Sequence, residues 1–589
     1  MKKIDLNQKT NSLYLETTRT HFFFGCILGG IIFILIDGVS LLHFTNIDWL
    51  THSVDNEGLW DLTQHYLGWV YYRNSDWHFP IGLVDNLYSS PVSIVYTDSI
   101  PLFAFIFKLL SPILPETFQY FGLFGLLCYM LTGGFAALIS KKYSNSFLFS
   151  GMAAILFCIS PVLTKRMFYH TALSAHFLIL IAICLWLYKS TLSMKKFRFY
   201  WSLLLVVSAL INAYYVPMVL GILLCSCLQD VLVSKNKIQS LISTAISAGI
   251  PCLSMGIACY LFGFFYGNVK ASTVGLEKLS FNLLQLINPM NYLCDVRDYN
   301  YSFTPQSYSS LLPNLPLISG WQEEGFSYLG LGMIILVLVS ILFGMKALWK
   351  KKALWIPLGV GAVVFTALAL SPTITFGSKT LLHLSYPKAI YSALSIFRST
   401  GRFIWPVYYG LLSLSILFFA KEYQRKKGKG TLFLLLFCTA LQVFDLWPSL
   451  VYKHNAYQQD FSAYTEELQD GGWDILGENA SQIMFYPPTE FGIECDPKTS
   501  CIFEMYALKY HLSLNVTYMS RDMSSFADAK TLAHFENRKD GETHPDIIYV
   551  FFKISDIPDS AISHLNYYEM DGYIVGTEQT LKNCKAYTP

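Results

Sequence analysis

The sequence predicts an all-α polytopic membrane protein of about 11 transmembrane helices with a C-terminal extracytoplasmic α/β domain, and three observations lead there. Of 589 residues, 53% are hydrophobic and only 14% charged, with mean hydropathy +0.40, far from the balance of a soluble domain. Apolar runs of spanning or near-spanning length recur near 22–44, 117–140, 146–161, 172–189, 199–213, 215–233, 240–265, 328–345, 354–371, 403–420 and 431–449. From Val451 onward the composition turns to that of a soluble domain. The expected division is therefore a membrane domain over 1–450, including a long outer loop at 44–100, and a soluble domain over 451–589.

Charge placement sets the expected orientation. Basic residues gather in every second loop: Lys141 and Lys142, then Lys189 to Arg198, Lys235 and Lys237, Lys346 to Lys352, and Lys421 to Lys429. With Lys2 and Lys3 on the same side, the positive-inside rule puts the N-terminus in the cytoplasm, and an odd number of spans puts the C-terminal domain outside. The first apolar run lacks a small-residue cleavage motif and is expected to remain as an anchor. The net charge of +2 says nothing about nucleic acid, since the basic residues stand in short loops between apolar runs and form no single patch, and no nucleic-acid partner is expected.

The loop 44–100 holds seven acidic residues and four histidines or arginines among many tryptophans and tyrosines, too long and too mixed for a simple connection. Helical spacing over Leu59 to Asn74 puts Asp61, His65, Gly68, Trp69 and Tyr72 on one face, joining a carboxylate, an imidazole and aromatic platforms. Pro80 and Gly82 end that element, and Asp98 closes the loop. The run IPLFAFIFKLLSPIL reads as a short helix at the membrane surface, broken by Pro112 and Pro115.

Two cationic groups stand at other expected outer boundaries. In KRMFYHTALSAH, Arg166 and His170 lie one helical turn apart beside Lys165, an arrangement suited to a phosphate or, more plainly, to interfacial anchoring. In IFRSTGRFIWP, Arg398 and Arg402 are four residues apart, placed to fork onto a phosphate as bidentate donors or, more plainly, to anchor the membrane interface together with the aromatic residues beside them. The segment 266–327 ends in WQEEGFSYLG, where Glu323 and Glu324 precede a span; it reads either as a substrate cover or as a passive loop. The NAYYVP turn reads as structural.

In the C-terminal part, SQIMFYPP, LSLNVTYM, DIIYVFF and YYEMDGYIVG read as strands, and FEMYALKYH and FADAKTLAHFE as helices. Nine of thirteen cysteines lie in apolar runs; Cys294, Cys495, Cys501 and Cys584 fall on the expected outer side, with Cys495 and Cys501 the expected disulfide pair. No P-loop, dinucleotide fingerprint, zinc spacing or internal repeat is present in the sequence.

The order of features, one span, a long outer loop with an acidic residue on a helix, further spans and a C-terminal outer domain, resembles the GT-C superfamily of membrane glycosyltransferases, and DLTQHYLGWVYYRNSDWHFPIG, YTDSIPLFAFIFK, KRMFYHTALSAHF and IFRSTGRFIWP resemble a bacterial branch of it. The resemblance implies transfer of a sugar from a polyprenyl-phosphate donor to a glycan or lipid-linked acceptor, at the outer face of the bacterial cytoplasmic membrane and in contact with membrane lipid. It implies an acidic base that maps onto Asp61, with Asp55 and Asp48 as competitors and Asp98 a further carboxylate. Arg166, His170, Arg398 and Arg402 would hold the donor phosphate, and His65, Trp69 and Tyr72 the substrate. No cofactor is required; a divalent metal held by Asp61, His65 and Asp98 is compatible with the family. A flippase, transporter or polymerase of lipid-linked glycans is the alternative reading.

Overall fold

The computed structural model describes residues 2–51, 60–267, 276–290, 307–318, 320–426, 428–458, 467–488, 497–520, 524–536, 543–557, 564–582 and 584–588. Its contacts divide the chain differently from the expected cut at 450. One unit is Met1–Asn46, Tyr120–Gly256 and Thr273–Gln459; the other is Ile47–Gln119, Ile257–Ser272 and Asp460–Pro589, so the long loop belongs with the C-terminal residues.

In chain order the helices are α1 (Lys2–Ile36), α2 (Trp60–Asn74), α3 (Pro101–Leu110), α4 (Phe121–Lys141), α5 (Phe147–Cys158), α6 (Pro161–Arg166), α7 (Phe177–Leu187), α8 (Met194–Ile211), α9 (Tyr215–Val233), α10 (Lys237–Leu261), α11 (Leu331–Trp349), α12 (Lys352–Leu370), α13 (Lys388–Leu394), α14 (Trp405–Lys426) and α15 (Lys429–Ala456). Among the described residues, seven helical stretches are long and apolar enough to cross a membrane: 17–36, 121–141, 215–233, 237–261, 352–370, 400–425 and 429–456. The stretches 101–113, 147–158, 171–187 and 331–344 are apolar but shorter. The run expected to span at 199–213 is helical within α8, whose first turns carry Lys195, Lys196 and Arg198. Where 11 spans are expected, seven full-length candidates are found among the described residues.

Two devices organise the helical unit. Helices α1 and α4 meet backbone to backbone, because a side chain at Gly25 or Gly29 would run into the carbonyl of Gly133 or Tyr129; small residues four apart permit that approach. At the start of α11, N–H groups that no helical carbonyl can reach are satisfied by polar side chains of α15. Leu331 N–H donates to Asp445 Oδ2 (2.9 Å) and Met333 N–H to Gln442 Oε1 (3.0 Å), while the Tyr328 hydroxyl also donates to Asp445 (2.7 Å).

The second unit is built on a six-stranded mixed sheet. Its strands are β5 (Gln482–Tyr486), β6 (Ser513–Leu514), β7 (Ile547–Phe551), β8 (Asn566–Met570), β9 (Tyr573–Thr577) and β10 (Lys585–Tyr587), in the order β10-β8-β9-β7-β5-β6; short ribbons β1 (Leu83–Val84) with β2 (Val92–Ser93), and β3 (Thr373–Phe376) with β4 (Lys379–His383), occur earlier in the chain. Strand β5 runs parallel to β6 and β7, which connect through α17 (Pro497–Tyr510) and α18 (Ser524–Glu536), after α16 (Gly472–Asn479). β7 is buried at all five positions, as a central strand covered on both faces requires. Met484, Tyr549, Phe551, Tyr567 and Ile574 form one core with Phe535 of α18.

YYEMDGYIVG is a hairpin rather than the single strand expected: Asp571 and Gly572, with φ of 47° and 84°, make the turn between β8 and β9. The free edge of β6 is covered by the long loop, since Leu514 N–H donates to Asn86 O (2.8 Å) and Ser89 N–H to Asn515 O (3.1 Å). Helix α2 joins the same unit through the Tyr71 hydroxyl, which donates to Glu504 O of α17 (3.1 Å).

Candidate functional site

A cluster of buried charge lies at one end of the helical unit, where α1 and α15 finish and α11 and α14 begin. Pro161 opens α6 at a first-turn position where its missing N–H costs nothing, and α6 ends after one turn and a half with Lys165 and Arg166. The 3-10 turns Gly320–Gly325 and Thr400–Ile404 bring Glu323, Glu324 and Arg402 alongside. Arg166 Nη2 donates to Glu324 Oε2 (2.8 Å) and Nη1 approaches Oε1 (3.4 Å), while Arg402 Nε reaches the same Oε2 at 2.7 Å. Arg166 Nη1 also stands 3.3 Å from His170 Nδ1, and Lys165 Nζ pairs with Glu323 Oε2 at 3.0 Å.

Arg166 is 2%, Arg402 7% and Glu324 7% exposed, so these charges are held almost out of solvent and depend on one another. Burial works to raise the Glu324 carboxyl, but Arg166 and Arg402, with His170, outweigh it and hold it well below the usual carboxylate range. Amide side chains fix the turn that presents it. Gln322 donates to Thr375 Oγ1 (2.8 Å), Asn282 donates to Gln322 Oε1 (3.0 Å), and Gln285 donates to the Gln322 carbonyl. Tyr214, from the NAYYVP turn, puts its ring 4.5 Å under the Arg402 guanidinium and its hydroxyl on Ser399 N–H (2.9 Å).

A second carboxylate stands on the other flank of α6. Asp37, the residue after α1, is fully buried, with Lys453 Nζ of α15 at 3.5 Å. Lys453 donates in turn to the carbonyls of Thr164 (2.5 Å) and Met167 (2.8 Å), so the segment carrying Lys165 and Arg166 is gripped by an acid–lysine pair behind and by Glu323 and Glu324 in front. Asp37 and Lys453 belong to no motif in the sequence, and Tyr214 reads there only as part of the structural NAYYVP turn. The available signal was a lone Asp in ILIDGVS, a charge at the end of an apolar helix.

The remaining expected site residues are distributed as follows. Arg398 is half-buried in the helical unit and, among the described residues, has no ion pair or hydrogen bond. Asp61, Asp98, His65, Trp69 and Tyr72 belong to the other unit, and Asp55 lies outside the described residues. Asp61 is half-buried in the first turn of α2; Asp98 is half-buried at φ 52° in the turn before α3. Asp48 is exposed.

Trp69 and Tyr72 are wholly buried, with the indole N–H on Phe118 O (3.0 Å) and the phenol on Ile81 O (2.7 Å), and His65 is 2% exposed. The Tyr72 tip ties the loop to itself and the Trp69 tip ties it to the segment after α3, which makes both packing residues instead of the open platforms expected of the helical face. Among the described residues, no group of three or more His, Cys, Asp or Glu is assembled to hold a metal, so Asp61, His65 and Asp98 do not form such a set. Cys501 is buried in α17, and its expected partner Cys495 lies outside the described residues.

Fold and buried charge together define a multi-pass helical membrane protein with a sheet-bearing C-terminal region. The family model described as a domain of unknown function, DUF6311, matches residues 26–447, and the DUF6311 C-terminal domain matches 472–578; the chain belongs to this family. Comparison with curated proteins finds no match.

Proposed function

We propose that this chain is a GT-C-type membrane glycosyltransferase, which moves a sugar from a polyprenyl-phosphate donor to a glycan or lipid-linked acceptor at the outer face of the bacterial cytoplasmic membrane. The shorter apolar stretches 147–158, 171–187 and 331–344, with α8, complete about 11 passages in this reading, and the C-terminal region is extracytoplasmic. The observation that carries it is the pair of buried guanidiniums, Arg166 and Arg402, focused on a single anionic position now taken by Glu324.

A glycosyl phosphate needs such a position because the bond between the anomeric carbon and the phosphate oxygen breaks with its electrons going to the phosphate, and preorganised cations stabilise that charge. The acceptor hydroxyl attacks the anomeric carbon as a carboxylate removes its proton, giving inversion in one displacement. We assign the base to Asp37 in preference to Asp61. Asp37 lies in the same unit as the arginines, and Lys453 links it to the segment that carries Arg166. The flippase or transporter alternative draws support from the same Asp37–Lys453 pair, since ionisable groups at membrane depth mark transport pathways as well.

The test uses purified full-length protein in nanodiscs. Polyprenyl phosphate, without a sugar, is expected to raise the melting temperature through binding, and Arg402→Lys, which keeps charge but loses the fork, to abolish most of that rise. With a panel of polyprenyl-phosphate hexoses, Asp37→Asn is expected to slow release of polyprenyl phosphate by about 100-fold or more with lipid binding intact. Equal stabilisation of wild type and Arg402→Lys would overturn the phosphate clamp. Normal turnover in Asp37→Asn with loss in Asp61→Asn returns the base to Asp61, and lipid binding with no turnover of any donor favours the flippase.

A further inference from the structure

The sheet-bearing unit contains a polar cleft that the glycosyl-transfer reading does not use, with a volume of about 530 Å³, formed where residues 74–91 cross the β5–β6 end of the sheet. Asn74, Asp76, Asp85, Asn86, Ser89 and Gln482 are among the residues that line it. Its floor is fixed by hydrogen bonds within the loop. Asp85 N–H donates to Ser75 Oγ (2.7 Å), His78 Nε2 and Asp76 N–H converge on Asp85 Oδ2 (2.7 and 3.2 Å), and Lys108 Nζ holds the Ser75 carbonyl (2.9 Å).

Against that floor stand groups with no hydrogen-bond partner among the described residues, the Asn74, Asn86 and Gln482 amides and the buried Ser89 Oγ, beside the Asp76 carboxylate, which the Lys108 ammonium attracts. A buried hydroxyl without a partner is costly unless a ligand or water completes it. The Asp76 carboxylate and the amides are exposed or half-exposed, so their significance lies in converging on one concavity.

The lining selects the ligand class. No lysine or arginine lines the cleft, while two aspartates do, which disfavours phosphate or carboxylate ligands. Leu514, Pro91 and Tyr88 supply little apolar surface for a lipid or aromatic molecule. No metal-ligating group of three or more is assembled among the described residues, and Asp85 already spends one oxygen on His78. What fits is a ligand whose groups both donate and accept in pairs: a carboxylate spans two neighbouring hydroxyls, and an amide donates to one and accepts from the next. We propose that this cleft binds a neutral saccharide. The proposal does not rest on the glycosyl-transfer reading, and either can fail alone.

Full-length protein in nanodiscs is titrated with neutral tetrasaccharides of glucose, galactose, mannose or rhamnose, followed by saturation-transfer NMR. At least one is expected to bind, and Asp76→Ala/Gln482→Ala, which alters two side chains that make no hydrogen bond to the described residues and leaves the melting temperature of the free protein unchanged, to weaken it at least tenfold. Arg402→Lys is expected to leave saccharide binding unchanged while losing the polyprenyl-phosphate effect. Absence of binding by every tetrasaccharide, undiminished binding in the double variant, or a thermal shift with calcium chloride alone that the double variant loses would each overturn the saccharide assignment.

Discussion

Glu324 shows what one side chain can decide at a buried site. Two guanidiniums share its carboxylate, so Glu324→Ala leaves both cations buried without their partner, and a loss of about 3–5 kcal/mol is expected. Thermal unfolding in detergent checks this; a change under 1 kcal/mol would show that solvent reaches the pair. Glu504, 1% exposed in α17, works in the opposite sense: burial pushes its carboxyl up to about 7, although Thr517 and Ser500 hydroxyls donate to it. Its folded form holds a proton that the unfolded chain releases near pH 4.5, so its contribution is fully present below that value and is lost as pH rises toward 7. Glu504→Gln is therefore expected to stabilise the protein at pH 8, by on the order of 3 kcal/mol, and to make little difference at pH 4. Equal melting curves for both proteins at pH 8 would show that Glu504 has no such shift.

At the scale of elements, the apolar runs were legible because hydropathy reports a helix without reference to its neighbours, and all seven full-length candidates fall on expected segments. Ends and pairings were less legible. The α1–α4 contact rests on Gly25, Gly29 and Gly133, whose meaning appears only when the two helices are side by side. The Asp571–Gly572 turn was visible as a DG pair between alternating apolar residues, and was absorbed into one long strand. Trp69 and Tyr72 share a face with Asp61 as spacing requires, but periodicity cannot say which face a neighbouring segment covers. Arg166, His170 and Arg402 were legible as cations, whereas Glu324 as their common partner is a contact across 158 residues that no local pattern encodes. For the glycine contact, Gly29→Leu is expected to drive α1 and α4 apart and lower the melting temperature, while the same change at Gly256, where nothing lies within 4 Å, leaves it unmoved. Similar melting of the two variants would remove the close approach.

For the whole molecule, the division into two units gives a prediction about fragments. Residues 460–589 alone would expose the β6 edge that Asn86 and Ser89 cover, together with the α17 surface that Tyr71 meets. This fragment is expected to aggregate on expression, and a single chain joining 47–119 to 460–589 to give a better-dispersed protein. A monomeric, cooperatively melting 460–589 fragment would show that the sheet needs no loop. The orientation proposed above is tested by a reporter active only outside the membrane, expected to work after Tyr452 and to fail after Arg425.

That same division has a consequence for biogenesis. The ribosome finishes residues 47–119 roughly 340 residues before it starts 460–589, an interval of about 20–70 s at 5–20 residues per second. Throughout it, the half of the unit that covers the β6 edge has left the ribosome while the strand it covers does not yet exist. The nascent chain must then keep Trp69, Tyr72 and their neighbours out of the reach of proteases and other chains, and translation stalled shortly after residue 459 would leave the helical unit made and this unit half built.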